Sequence, residues 1–239
     1  MVCNSGVRMT PSIDGRIHHF AEQGLFDGLF LMKDEESETY WDHMTGEAVY
    51  GPLVGETLHV QPLLMTTAGR ALATAPDALV TLSDRAIRTD DDMKVDGLMA
   101  GIRGRLNSFF QSTVAEEDVR RPTMDLGLGL WTDQSAVYYP MERVRAEGRA
   151  LVDTFGGRAV LVYIDPATFV PSAVFVEGAD PEWDDDVLRL SDGSYVETGV
   201  LYDAAGHKVE GSRPLQVFTR WYGFSLTFPE TEIYGEGGR

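Results

Sequence analysis

Residues 24–58 read GLFDGLFLMKDEESETYWDHMTGEAVYGPLVGETL, and the way this stretch divides decides the fold class. Leu29-Phe30-Leu31-Met32 is a short apolar run between Gly28 and the charged Lys33-Asp34-Glu35-Glu36, the pattern of a buried strand ending in a solvated turn. Thr39-Tyr40-Trp41 adds β-branched and aromatic side chains, which pack well on a pleated surface. Thr45-Gly46-Glu47 and Tyr50-Gly51-Pro52 mark turns, because glycine accepts a positive φ and proline fixes φ while removing a ladder donor. Leu58 and Val60, alternate residues, share one face of a closing strand. Three strands within about 35 residues is hairpin or meander spacing, too tight for a strand–helix–strand crossover.

Outward from this core, Thr67–Ala73 reads as a short helix stopped by Pro76, and Ala78–Leu82 as a return to strand. Residues 90–120 change character. Asp90-Asp91-Asp92 suits a helix N-terminus, and Met93, Leu98, Ile102, Leu106 and Phe109/Phe110 recur at helical spacing, predicting one long amphipathic helix. Beyond Arg121, Leu126–Trp131 and Ser135–Tyr139 form a hairpin, and Pro140 opens a helix over Met141–Glu147 that Gly148 ends. Strands at Leu151–Asp153 and Ala159–Tyr163 flank the Gly156-Gly157 turn, and Ser172–Val176 is a further strand. Val187–Leu190, Tyr195, Thr198-Gly199, Gly206, Gly211, Leu215 and Val217 then repeat the order of Phe30–Met32, Tyr40, Thr45-Gly46, Gly51, Gly55, Leu58 and Val60. Order-preserving similarity of this kind points to duplication of a β-rich unit. The expected fold is mainly β, a β-rich α+β chain of two tandem related units of short antiparallel strands. Those units cover 1–89 and 121–239, with a helical connection at 90–120.

Composition narrows the function classes. There are 38 acidic against 20 basic residues, a net charge of −18, and no basic stripe interleaved with aromatics, so nucleic acid and anionic membrane surfaces are excluded as partners. No apolar run approaches the roughly 18 residues of a membrane span, and no basic-then-apolar leader opens the chain. As printed, the chain reads as a soluble, cytoplasmic protein. The single cysteine, Cys3, rules out an intramolecular disulfide and a cysteine-rich metal cage.

Asp34-Glu35-Glu36-Ser37-Glu38-Thr39-Tyr40-Trp41, followed by Thr45-Gly46-Glu47-Ala48, Gly51-Pro52-Leu53, Gly55 and Leu58, resembles the hallmark of the domain-of-unknown-function 3179 family, D-x-x-T-x-S-x-W then T-G-E-A-x-x-G-P-L-x-G-x-x-L. Cys3-Asn4-Ser5-Gly6 matches part of the family's Cys-x-x-Cys-Asn-Ser element. The resemblance implies a fold neighbourhood and no established activity. It also implies that a partner cysteine would lie just before Met1, and that the counterpart of Leu126–Val162 would lie upstream, leaving the first unit N-terminally incomplete. A strand edge left open in this way favours homo-oligomers.

Few residues carry readable chemistry. Trp41-Asp42-His43 sets a carboxylate beside an imidazole, which makes Asp42 and His43 the acid–base candidates and Tyr40, Trp41 and His43 the ligand-binding candidates. Against this, Trp41 suits a core position. Cys3 with His43 offers sulfur and nitrogen to zinc or copper, though one thiol does not complete a set. His18 and His19 on a strand face opposite ways, one packed and one solvated, and cannot easily share a metal. His59 and His207 lack supporting neighbours, and Asp180, Glu182 and Asp184–Asp186 lack the spacing of a calcium loop. The reading is a module that binds a small ligand or a protein. The alternative is a metal- or thiol-dependent enzyme using Cys3 and His43.

Overall fold

The computed structural model describes residues 6–80 and 108–236. Its first strands are β1 (Arg8–Thr10), β2 (Ser12–Ile13), β3 (Arg16–Ile17), β4 (Phe20–Phe26), β5 (Leu29–Asp34), β6 (Tyr40–Asp42), β7 (Ala48–Tyr50) and β8 (His59–Gln61), followed by helices α1 (Ala68–Thr74) and α2 (Ser108–Gln111). Next come β9 (Leu126–Trp131), β10 (Ala136–Pro140), α3 (Met141–Ala146), β11 (Ala150–Phe155), β12 (Arg158–Ile164) and β13 (Pro171–Phe175). The chain continues through β14 (Glu182–Asp184), β15 (Val187–Arg189), β16 (Tyr195–Glu197), β17 (Val200–Tyr202), β18 (Gln216–Arg220), α4 (Trp221–Thr227) and β19 (Glu232–Ile233). It is β-rich, as the alternation of short apolar runs and turns implies.

Two compact units interleave along the chain, whereas the sequence reading divides it at 89 and 120. One unit takes Met1–Leu63, Arg103–Pro140 and Pro214–Arg239; the other takes Leu64–Ile102 and Met141–Arg213.

In the first unit β4–β5–β6–β7 is an antiparallel meander. One set of its side chains, with Trp41 and Ala48 buried, joins Ile13 and Leu58 in a small core. Leu29 and Met44 enter a second, aromatic core with Trp131, Tyr138, Trp221 and Phe224. That core is built on the sheet β18–β9–β10–β19, in which β19 runs parallel to β10. Two glycines of β9 make the packing: a Cβ on Gly127 would lie 2.4 Å from the Tyr138 ring, and one on Gly129 would lie 2.0 Å from the Phe224 ring. Both aromatic rings therefore sit directly on bare backbone, a close approach that only glycine permits.

The second unit contains the hairpin sheet β11–β12–β13 and another meander, β14–β15–β16–β17. Its core takes Leu161, Tyr163 and Val174 from the first sheet and Leu188, Leu190, Val196 and Leu201 from the meander. Arg70 on α1 pairs with Asp165 at 2.6 Å and Asp186 at 3.1 Å, which ties the helix to this unit.

The two meanders share the register of their second and third strands, and differ at the next pairing, where the first carries a bulge at Tyr40–Trp41. In the first, Met32 pairs with Trp41 and Trp41 with Ala48; in the second, Leu188 pairs with Val196 and Val196 with Leu201. On the other face, Lys33 and Tyr40 pair with Tyr50 next in line, as Arg189 and Tyr195 pair with Tyr202 next in line. Each basic side chain lies over its tyrosine ring, and each pair of tyrosines is in ring contact.

Two sequence expectations need correction or fall elsewhere. Ala78–Val80 is not a strand but an exposed stretch, with no pairing strand among the described residues, and residues 81 and 82 lie outside them. The long amphipathic helix expected over 90–120 falls mostly outside them too; its described part contains only α2. The short helices at 67–73 and 141–147 appear within a residue of their expected bounds.

Candidate functional site

The meander places a charged group where strands normally bury apolar ones. Side chains two apart on a strand share a face, so Asp34 follows Met32 inward, and Trp41 stands opposite Met32 on the neighbouring strand. The Asp34 carboxylate is fully buried. It accepts hydrogen bonds from the Ser37 backbone N–H at 2.6 Å, the Ser37 hydroxyl at 2.7 Å, the Trp41 indole N–H at 2.8 Å and His18 Nδ1 at 3.0 Å. Burial alone pushes its pKa upward, but the donors from Ser37, Trp41 and His18 outweigh that and hold the carboxyl well below its ordinary range. The turn that brings Ser37 back over Asp34 is closed by Asp34 N–H donating to the Thr39 carbonyl and Glu38 N–H donating to the Asp34 carbonyl. Gly51 lets that turn seat: its φ is +118°, and a Cβ there would lie 2.8 Å from Thr39 Cα.

His18 follows β3 and is fixed at its backbone by donating to the Pro11 carbonyl at 2.8 Å. Its ring is buried, with Nδ1 also 3.9 Å from Glu36 Oε2. Glu36 is in turn held by exposed His19, whose backbone N–H donates to Oε2 at 2.8 Å and whose Nδ1 lies 2.6 Å from Oε1. The hydrogen bond and the charge of Glu36 raise the pKa of His19, and the same bond lowers that of Glu36. His18, Glu36, Ser37 and Arg16 line one side of a cleft of about 800 Å³, and Ile13, Ile17 and Leu53 supply its apolar wall. His18, Asp34 and Glu36 each offer a ligand atom within 4.8 Å of the others, the one such grouping among the described residues.

A family model described as "Protein of unknown function (DUF3179)" matches residues 1–225. The chain belongs to this family. No curated protein and no solved structure matches it. The DUF3179 hallmark now has a physical meaning: its Asp, two hydroxyl positions and Trp fall on Asp34, Ser37, Thr39 and Trp41, which are the buried carboxylate, the turn that covers it and the indole that binds it. The hydroxyls are exchanged relative to the family pattern, Ser37 standing for Thr and Thr39 for Ser.

The residues singled out from sequence fall around this site in different ways. Trp41 is fully buried, as its core reading holds, and reaches Asp34 through its indole N–H. Tyr40 is half-buried between Lys33 and Tyr50. Asp42 Oδ1 accepts the Met44 and Thr45 backbone N–H groups at 2.7 and 2.8 Å, so this carboxylate shapes the turn. His43 is half-buried in that turn, and Cys3 lies outside the described residues. Of the His18–His19 pair one is packed and one solvated, as expected, but neither lies on a strand. Instead of facing opposite ways, both rings reach toward Glu36 because the chain bends between β3 and β4. The carboxylate partners of this pair, sixteen and seventeen residues away, were not read from sequence.

Proposed function

We propose that the chain is a small-ligand-binding module whose ligand enters the cleft beside His18, with Ile13, Ile17 and Leu53 as its apolar wall. One observation carries this reading. The second meander has the first one's strand order and the same register between its second and third strands, yet the position that matches Asp34, two residues past the paired core residue, is the buried Leu190. A meander of this kind is therefore built without any buried charge. Burying a carboxylate is costly unless donors meet it, so the Asp34–His18–Trp41 network, which also stabilises this fold, answers a requirement that the meander alone does not impose. Holding an imidazole in one orientation at a cleft is such a requirement.

The same comparison supports a duplication in which one copy kept a polar site and the other became structural. The pairs Lys33–Tyr40–Tyr50 and Arg189–Tyr195–Tyr202 support it on the solvent face.

The test is a ligand-observed NMR screen of small polar metabolites against the wild type, repeated with Ile17→Asp. Ile17 is exposed, so its replacement is expected to leave the fold intact, which a circular dichroism spectrum of the variant checks. Hits lost on that substitution support the reading. An empty screen, or hits that Ile17→Asp leaves intact, rejects it.

A further inference from the structure

Resting on the reading that this cleft is the binding site, we propose that it takes a divalent cation of the zinc type, held by His18 Nδ1, one oxygen of Asp34 and one oxygen of Glu36, with a fourth position open to the cleft. The geometry behind this begins with Nδ1. It faces two carboxylates at once, Asp34 Oδ1 at 3.0 Å and Glu36 Oε2 at 3.9 Å. A single N–H bonds only the nearer one, and the second carboxylate, held by His19, stands just beyond hydrogen-bond reach of the same nitrogen.

A cation between them resolves that arrangement. In a tetrahedral site with bonds of about 2.0–2.2 Å, ligand atoms stand about 3.3–3.5 Å apart. The two separations from His18 bracket that spacing and all three ligand atoms lie within 4.8 Å of one another, so side-chain movements on the order of an ångström close the set. The ion takes the place of the Nδ1 proton, which passes to Nε2 as the ring changes tautomer. Two carboxylates and a neutral imidazole then balance its charge.

The surroundings fit a metal site equally well. Ligating carboxylates are commonly oriented by outer hydrogen-bond donors, and both are oriented here. Asp34 is gripped by Ser37 N–H and the Trp41 indole, and Glu36 by the backbone and ring of His19. The oxygens that face His18, Asp34 Oδ1 and Glu36 Oε2, each already accept a backbone N–H, from Ser37 and His19, and a carboxylate oxygen can accept such a bond on one lone pair while ligating a cation through the other. One nitrogen and two oxygens suit zinc, whereas calcium and magnesium favour all-oxygen shells and more ligands. Three protein ligands with one open position is also the arrangement that lets a metal hold an exchangeable water or a further small ligand. The ion would thus serve as the polar anchor for whatever occupies the apolar part of the cleft.

The full chain, stripped with chelator, is titrated with Zn²⁺ and separately with Ca²⁺ by calorimetry, alongside Glu36→Gln, His18→Gln and Cys3→Ser. The expected result is one zinc per chain and no calcium. Affinity should fall at least tenfold in Glu36→Gln and His18→Gln and stay unchanged in Cys3→Ser. Glu36 is exposed, so its variant keeps the test informative if His18→Gln fails to fold. In ¹⁵N spectra the His18 Nδ1 resonance should move on zinc addition. Absence of zinc binding, binding that survives Glu36→Gln, or binding lost with Cys3→Ser overturns the proposal. Metabolite hits that persist in EDTA overturn it while leaving the ligand-binding reading intact; loss of both kinds of binding rejects both.

Discussion

Asp34→Asn isolates the buried network. The amide keeps one oxygen and places an NH₂ where the other carboxylate oxygen stood. If the NH₂ replaces Oδ2, it faces the Trp41 indole N–H, a buried donor bonded to that oxygen, while the Ser37 hydroxyl can rotate to accept. An orphaned buried donor costs about 1–3 kcal/mol, and the remaining bonds each weaken by about 1 kcal/mol once the acceptor is neutral. Removing a buried charge returns part of this loss. The net expectation is about 2–4 kcal/mol of destabilisation, a large share of the roughly 5–15 kcal/mol that holds an ordinary domain. The assay is urea unfolding at neutral pH followed by circular dichroism, where the midpoint should fall and the slope stay constant.

The pH dependence supplies a second arm. Asp34 has a folded pKa below its ordinary 3.8, so its contribution is present above that value and is lost as pH falls below it. The gap between wild type and Asp34→Asn should therefore narrow on acidification from pH 7 toward pH 3. A difference under about 0.5 kcal/mol at neutral pH, typical of a neutral surface change, would refute the reasoning, as would a gap of constant size across that range.

Gly129→Ala drives a methyl group into the Phe224 ring and should cost about 1–3 kcal/mol or more, read as a lowered melting temperature. Tyr138→Phe removes a hydroxyl that donates to the Asp125 carbonyl at 3.0 Å and should cost about 1 kcal/mol in the same assay. His19 should titrate above its ordinary 6.5 in an NMR pH series and return to it in Glu36→Gln; what the pair adds to stability is present below 6.5 and disappears as pH rises through the raised value. A His19 that titrates normally in the wild type would contradict the contact with Glu36.

Much of the fold is legible because it is local. The meander strands, the hairpin of β9 and β10 and the short helices each follow from apolar runs, turn glycines and Pro140, signals contained within a few residues. The partition into compact units is not local. It depends on β18 pairing with β9, so that Leu130 meets Gln216, and no pattern inside either strand names its partner.

The candidate site divides the same way. Trp41 stands out by size and composition, and the sequence places it in the core. Its meaning as a donor to Asp34 depends on a cross-strand register and on the folding-back of Ser37. His18 looks ordinary in sequence because its carboxylate partners arrive from a different strand and the following turn. Asp42 and His43 are conspicuous because they are adjacent in sequence, yet the Asp42 carboxylate is engaged with the turn's own backbone.

The excursion of the chain between β10 and β18 has a consequence for how the protein is made. The central sheet of the first unit stays incomplete until Gln216–Arg220 has left the ribosome, long after β9 and β10 have appeared. At roughly 5–20 residues per second, the nascent chain spends several seconds with the Trp131 and Tyr138 face uncovered. The strands of the second unit, Ala150–Tyr202, emerge during that interval and pair only with one another, so they can fold while the earlier strands wait. Synthesis order and assembly order thus run opposite ways: the unit begun first is finished last, and chaperone demand should fall on the interval before β18 emerges. Ribosome-bound chains ending at residue 210 and followed by a spacer long enough to clear the exit tunnel should show protease-resistant second-unit fragments and a cleavable first unit.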